Sequence, residues 1–582
     1  MANKKELQKA THDLSHDIKT TYPMGYAVPT FMRLMSPGED IHVKVLDNFR
    51  LDPFAFPIMD SVSATSTFYF VPLHQLYTQF EDFLRQAIRD SSSATMDNVR
   101  KNMINSIPWV PYGWDIDPDD VHTPPFNDDD LSLFKNLYDT DLGLFPQMGV
   151  HIPSAINVAD PYTPFRPTGV SNLASLKRLS ALPFLAYQKI MDDWFCDEEM
   201  EYKSATWPLD YLRDTSQNFT YADATGGKTT SPISIHNMIN PVYWSSVRGE
   251  RSDYISPQGN PVAKSPDNGF FLRRANWNSD LLTTRRPNPQ IGVDEAVDVH
   301  PPRNPNPIKT GEILIDEFRE SEAIQNAKMQ QQNTGQFFSD FYKKFYGVEI
   351  SDAMFGKCLS IGGDTMGLDI SDVLQTSQTT ADSPQANPVG YSRTVGESGG
   401  ISHKANCFGI LMRITRVLPR TAYHYGLDPI FTLTSPYDYF NPKLRGIGWQ
   451  PIERSVVLPI TMIGGASGEV NRVLSSQDMG DVSGWQPAHE YYRRQLSTVR
   501  GHFNITSGDR AVSGWTFARD YTGADLQQWR GTISARYRKA DPTNRPFTVL
   551  DESGTQVQHY AGYRVTSTSL IPHAINNRDT LH

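Results

Sequence analysis

Short β-forming runs separated by very long stretches of turn-forming residues constrain this chain more than any other feature. The runs 63–72 (SATSTFYFVP), 409–419 (GILMRITRVLP), 429–434 (PIFTLT), 455–463 (SVVLPITMI) and 532–538 (TISARYR) are rich in β-branched and aromatic residues. Such residues fit a pleated, half-buried surface. Between the runs lie Pro/Gly/Asn/Asp-rich stretches over 105–130, 215–310 and 376–400. Connections this long are uncommon in compact enzymes and usually serve function or form interfaces. The expectation is a mainly β body interrupted by long excursions, without an internal repeat.

Helical signals are fewer. Leu76, Phe80, Phe83, Leu84, Ala87 and Ile88 recur at helical spacing within 72–90. A second helix is expected over about 172–200, kinked or broken by Pro183. Residues 312–332 form a third candidate, and Phe338, Phe341, Tyr342 and Phe345 make a fourth stripe that Gly347 would end.

A length of 582 residues allows roughly three to five domains or one heavily elaborated domain. Charged residues are 20% and hydrophobic ones 38%, yet 10 Trp, 26 Tyr and 29 Phe supply a core, which excludes wholesale disorder. Cys196, Cys358 and Cys407 are odd in number and far apart, so neither a disulfide framework nor a CxxC metal pair is expected, and a reducing compartment fits. The N-terminal residues lack a secretory apolar stretch, and no run approaches the span of a bilayer. The net charge of −11 argues against a nucleic-acid coat protein of the basic type. Local phosphate contact stays open at 271–290 (FLRRANWNSDLLTTRRPNPQ) and 535–539 (ARYRK).

Several catalytic patterns fail on context. Residues 222–229 (ADATGGKT) end like a phosphate loop, but Ala222 replaces the first glycine and the continuation TSPI does not open a helix. GESGG at 396–400 has the spacing of a nucleophile elbow around Ser398, without the strand and helix an elbow needs; a glycine-rich loop is expected. Asp115, Asp117, Asp119 and Asp120 begin like a calcium loop, but Asp120 and Phe126 occupy its glycine and glutamate positions. An incidental divalent cation there is the sole cofactor left open. His489-Glu490 starts a zinc-protease pattern that Arg493 breaks. Asp192, Asp193, Glu198 and Glu199 around Trp194 are the nearest approach to the carboxylate pair and stacking platform of a glycan-active enzyme. Their other reading is a helix with polar outer positions and Trp194 and Phe195 toward a core.

One resemblance joins these segments. Residues 12–43 carry Leu14, Ser15, Asp17 and Lys19, then Gly25 and Pro29, then Pro37, Gly38, Glu39 and Asp40. This order resembles the opening of the major capsid protein of microviruses, small icosahedral single-stranded DNA phages. TFYFVPLHQLYTQFEDFL (67–84), LSALPFLAYQKIMDDWF (179–195), NWNSDLLTTRRPNPQIG (276–292), FYKKFYGVEISDAMFGKCLSIGG (341–363) and ISDVLQTS (370–377) follow in the family's order. SPYDYFNPKLRGIG (435–448), GWQPAHEYYRR (484–494) and GYRVTSTSLIPH (562–573) complete it. The chain is similar to a divergent branch of that family from end to end.

The resemblance implies a viral jelly-roll β-barrel with very long inter-strand insertions and a few helices, one capsid domain over 1–582. It implies a structural, non-enzymatic subunit of a T=1 icosahedral shell around circular single-stranded DNA, found in the virion and assembled in the bacterial cytoplasm. Implied partners are further copies of the chain, with pentamers as intermediates, the genome, a small basic DNA-binding protein, scaffold and pilot proteins, and a host receptor. Residues 201–268 match the position of a surface insertion, to be read as a host-contacting protrusion or as a loop packed on a symmetry mate. Arg273, Arg274, Arg285, Arg286, Arg536, Arg538 and Lys539 are the candidates to face DNA, the other reading being salt bridges at subunit contacts. The competing classes are a β-rich glycan-active or carbohydrate-binding protein and a phage tail or fibre protein.

Overall fold

A computed structural model describes residues 9–77, 80, 109–112, 143–150, 177–196, 219–222, 228–231, 272–288, 356–374, 388–424, 426–436, 438–442, 448–457, 482–504, 512–519, 535–548 and 556–570. Within them the strands are β1 (Ala10–Asp13), β2 (His16–Tyr22), β3 (Val28–Met35), β4 (Asp40–Phe54), β5 (Val62–Pro72), β6 (Trp109–Tyr112), β7 (Lys177–Ser180), β8 (Phe219–Ala222) and β9 (Lys228–Ser231). They continue with β10 (Leu359–Leu368), β11 (Ile370–Leu374), β12 (Pro388–Lys404), β13 (Gly409–Pro419), β14 (Trp449–Glu453), β15 (Val482–Pro487) and β16 (Val557–Ser569). The α-helices are short: α1 (Leu144–Gln147), α2 (Leu182–Ile190) and α3 (Ala535–Arg538).

Two antiparallel sheets dominate. The larger runs β1-β16-β4-β12-β11, with β2 also pairing β16, and the smaller runs β10-β5-β13-β3. Strands far apart in sequence are neighbours in both: β16 lies between β1 and β4, and β13 between β5 and β3. On β4, Ile41, Val43 and Val45 point inward while His42, Lys44 and Leu46 face out, the period-two pattern of a half-buried strand. They meet Phe31 and Met35 of β3, Phe68 and Phe70 of β5, Leu411 of β13 and Val565 of β16 to form the layer between the sheets. β13 is buried on both faces. Its Ile410, Met412 and Ile414, with Tyr69 and Val71 of β5, pack beneath α2 through Leu185, Tyr187 and Ile190. Fully burying each such side chain stabilises by about 1.5–3 kcal/mol. The described body is thus mainly β, two facing antiparallel sheets with a helix over one of them.

The turn motifs of the opening segment have physical reasons. Gly25 sits at φ +89°, and a Cβ there would lie 2.6 Å from Pro542 Cδ. Gly38, at φ +82°, makes the β3–β4 turn. There the buried Glu39 carboxylate accepts bonds from Arg33 Nη2 at 2.9 Å, Ser36 N at 2.9 Å and Ser567 Oγ at 2.6 Å. Burial pushes that carboxyl up, but these bonds outweigh it and hold it below the ordinary value.

Some sequence expectations need correction. Pro183 does not break a helix; it occupies the first turn of α2, where its missing N–H costs nothing. Residues 429–432 form a 3-10 turn, not a strand, because Asp428 caps Ile430 N and Pro429 fixes the first φ. Within 532–538, the described part is the helix α3. Part of 376–400 is not loop: it is β12, the longest described strand, paired along β4. Its glycines allow close approach, since a Cβ on Gly396 would lie 2.7 Å from Met366 Cε of β10. Of the expected 72–90 helix, the described residues show a 3-10 turn at Leu73–Gln75, buried Leu76 and Tyr77, and a buried Phe80; 78, 79 and 81–90 lie outside the described ones. The 312–332 and 338–345 candidates also lie outside, as does most of 201–268.

Candidate genome-contact cations and the buried polar sites

The segments carrying the candidate cations, far apart in sequence, meet in space. Asn276 bridges Lys539, Trp277 N donates to Arg538 O at 2.8 Å, and Ala540 N donates to Ala275 O at 2.7 Å. Six of the seven candidate side chains are described, and each makes contacts within the chain. Arg273 Nη1 binds Asp192 Oδ1 at 2.7 Å. Arg274 Nη1 binds Asp541 Oδ1 at 2.5 Å, and its guanidinium lies 5.0 Å from the Tyr26 ring centre. Arg285 is buried, donates to Leu282 O at 2.8 Å and to Ser483 Oγ, and stacks 4.5 Å from the Tyr537 ring. Arg286 lies 5.5 Å from the Trp449 ring. Arg538 donates to Arg285 O, and burial pulls its pKa down to about 10. Lys539 Nζ donates to Phe195 O at 2.7 Å and Asn276 Oδ1 at 3.0 Å. Arg536 belongs to α3, its side chain outside the described residues.

Arg519, which sequence reading passed over, completes the group. Its guanidinium lies 4.2 Å from the Tyr537 ring, on which Arg285 also stacks, and 5.2 Å from Trp277. Arg274 is the most open of the ion-paired members, its side chain 36% exposed against 14% for Arg273.

The larger omission is a polar network between the sheets. Arg413 of β13, fully buried, forms a fork with Asp47 of β4, Nη1 to Oδ1 at 2.9 Å and Nη2 to Oδ2 at 2.5 Å. His559 Nε2 lies 2.9 Å from Asp47 Oδ1, and His559 Nδ1 lies 3.3 Å from Tyr22 Oη. Tyr563 Oη accepts from Arg413 at 3.1 Å and donates to Thr30 O at 2.7 Å. Burial pushes Asp47 up, but bonds from His559 and Arg413 outweigh it and hold the carboxyl below its ordinary range. For His559, burial outweighs Asp47 and lowers the pKa. The bonds suit a neutral imidazole, Nε2–H donating to Asp47 and Nδ1 accepting from Tyr22. An arginine inside the apolar run GILMRITRVLP was the available signal, since a buried charge needs a partner.

The catalytic patterns resolve into structure. Asp193 is buried and paired with Lys189 at 2.7 Å, and its Oδ2 accepts from Cys358 N at 2.9 Å. With Asp192 held by Arg273, neither carboxylate is available to a substrate; Glu198 and Glu199 lie outside the described residues. Ser398 is buried in the middle of β12, opposite Val45. Lys228 and Thr229 open a strand of the β8–β9 hairpin where a phosphate loop requires a helix. Glu490 pairs with Arg493 and Arg494. Among the described residues, no group of three or more His, Cys, Asp or Glu is placed to hold a metal; the 115–126 stretch lies outside them. No described helix is long and apolar enough to cross a membrane.

The profile of the phage capsid protein (F protein) family matches residues 2–106 and 166–566. The chain belongs to that family. Capsid protein VP1 of Bdellovibrio phage phiMH2K is 21% identical over 535 residues, covering 87% of this chain and 84% of the relative. Capsid protein VP1 of Chlamydia phage 1 is 20% identical over 627 residues, covering 96% and 94%. Capsid protein VP1 of Spiroplasma virus 4 is 20% identical over 561 residues, covering 91% and 87%. The protein is therefore a major capsid component of a microvirus-type phage, a self-assembling structural part of the virion and not an enzyme. In this capsid subunit the matched family segments include the Gly25 and Glu39 turns, both sheets and the cation group.

Proposed function

We propose that this capsid protein closes into a T=1 icosahedral shell around a circular single-stranded DNA genome, through pentameric intermediates, in the cytoplasm of a bacterial host. The observation that carries this reading is the family match over residues 2–106 and 166–566. Apolar surface adds support: Ile430 is 65% exposed, Phe431 73%, Phe440 55% and Tyr492 59%. Phe440 and Tyr492 lie 6.4 Å apart, and Pro429 and Thr432 line the same 300 Å³ cleft as His489 and Tyr491. Burial of such a patch between copies removes aromatic area from water and suits the charge-poor centre of a contact. The three free cysteines, two of them buried, suit a reducing cytoplasm.

Of the cation group, Arg274 and Arg286 are the strongest candidates to meet genome phosphate, with Arg536, Arg538 and Lys539 beside them. Arg273 and Arg285 hold the subunit together and lend that surface its rigidity. A net charge of −11 leaves most neutralisation to counterions or a small basic partner. Residues 201–268 are proposed as the surface that meets the host, and scaffold and pilot proteins as assembly partners.

Particles treated with nuclease, then opened and extracted, test the genome. The expected yield is protected circular DNA that becomes sensitive to single-strand nuclease and stays resistant to exonuclease. Protected duplex DNA, or none, would refute the reading.

A further inference from the structure

β13 carries Arg413 and Arg416 in an otherwise apolar run. Arg413 points between the sheets to Asp47. Arg416 points to the other face of its sheet, paired across the strands with Thr65 of β5. Among the described residues, Arg416 makes no ion pair and no hydrogen bond; its neighbours are the Phe195 ring, 5.8 Å away, and Tyr69. Burial pulls its pKa below the ordinary arginine range, and Tyr69 only partly offsets this.

This cation opens on a cavity of about 140 Å³ lined by Thr65, Thr67, Tyr69, Trp194, Phe195 and Ile414. A half-buried guanidinium without a counter-charge is costly, and proteins normally supply one. What the cavity supplies instead is a set of donors. The guanidinium fork matches an oxyanion in geometry, and Thr65, Thr67 and Tyr69 bring hydroxyls. Thr65 Oγ1 lies 3.2 Å from Thr365 Oγ1, so that pair keeps a hydroxyl hydrogen to offer. Trp194 and Phe195 form apolar walls that lower the local dielectric and strengthen each polar contact. The space suits one tetrahedral anion with a few waters and is too small for a whole nucleotide.

We infer that Arg416, with Thr65, Thr67 and Tyr69, forms a binding site for a phosphate group. The site stands on this geometry and not on the genome-enclosing reading, since the group can be free inorganic phosphate or part of a phosphodiester.

The test melts the full-length protein in increasing inorganic phosphate, with ionic strength held constant by chloride, beside Arg416→Met and Arg416→Lys. Wild type should show no rise below its Kd for phosphate and then a logarithmic rise of about 1–2 °C per tenfold phosphate above it. Arg416→Met should not respond, and in chloride alone it should melt at or above wild type, having lost an uncompensated charge. Arg416→Lys should bind phosphate about tenfold more weakly, its point charge replacing the fork. A second arm replaces phosphate with a short single-stranded oligonucleotide. An Arg416-dependent response to phosphate alone assigns the site to the free anion, and a response to oligonucleotide extends it to phosphodiesters; either supports the site. Equal responses in wild type and Arg416→Met would mean an adventitious ion only. That result, no response in either arm, unchanged affinity in Arg416→Lys, or an Arg416→Met that melts well below wild type in chloride overturns it.

Discussion

Replacing Asp47 by Asn tests the polar network between the sheets. The substitution keeps the shape but removes the charge that Arg413 grips through bonds of 2.9 and 2.5 Å. At roughly 4 Å and an effective dielectric of 20, one such pair is worth about 4 kcal/mol of attraction. Both partners are buried, so the orphaned guanidinium cannot recover this from water; Tyr563 Oη at 3.1 Å remains as its acceptor. The expected loss is about 3–5 kcal/mol. Urea unfolding of the unassembled subunit, followed by fluorescence, should show the midpoint falling with the slope unchanged. The double variant Asp47→Leu/Arg413→Met, with no charge left, should be more stable than Asp47→Asn. A loss below about 1 kcal/mol would refute the claim that this fork holds the sheets together. Acid should act in the same direction. Asp47 and His559 both have lowered pKa values in the folded protein. The unfolded chain therefore binds more protons between each folded and unfolded value, and stability falls as pH drops. His559 contributes from its ordinary value near 6.5 downward, and Asp47 from the ordinary carboxylate range downward.

Three further outcomes are expected. Gly25→Ala should destabilise by about 1–3 kcal/mol, because φ is +89° and the new Cβ would strike Pro542; Gly38→Ala, with φ +82° but open space, should cost about 1 kcal/mol, and equal losses would contradict the steric argument. Glu39→Gln should remove about 1–2 kcal/mol by weakening the bonds at the β3–β4 turn and should flatten the acid limb of the stability profile, read by melting between neutral and acidic pH. Phe431→Ser with Phe440→Ser should leave subunit melting within about 0.5 kcal/mol of wild type yet reduce particle yield in sedimentation; undiminished yield would remove that patch from the contact surface.

Sequence legibility followed local chemistry. β5 and β13 were readable almost to the residue because Phe68, Tyr69, Phe70 and Ile410 through Ile414 carry both bulk and β-propensity. β12 was hidden because its glycines look like loop. Their purpose, letting Met366 of β10 approach Gly396, is a tertiary fact. PIFTLT had strand composition, but Asp428 and Pro429 together dictate a capped 3-10 turn. The candidate cations fall in two sequence clusters, and the clusters meet in the fold. What sequence hid is the acceptor of each: Asp192 lies 81 residues from Arg273, and Asp541 lies 267 from Arg274. Arg413 and Arg416 were detectable as charges in an apolar strand, though only the fold shows that one has Asp47 and the other an open cavity. The ordered series of short motifs carried the family where no single motif did, because the turns at Gly25, Gly38 and Glu39 have backbone requirements of their own.

The central claim, a capsid subunit that closes into one shell, is tested most directly by the mass of the assembled material, from light scattering with electron micrographs of the same fraction. About 60 copies of a 65.6 kDa chain predict uniform round particles with a protein mass on the order of 4 MDa. An elongated trimer, or a chain that stays monomeric beside its candidate assembly partners, would contradict it.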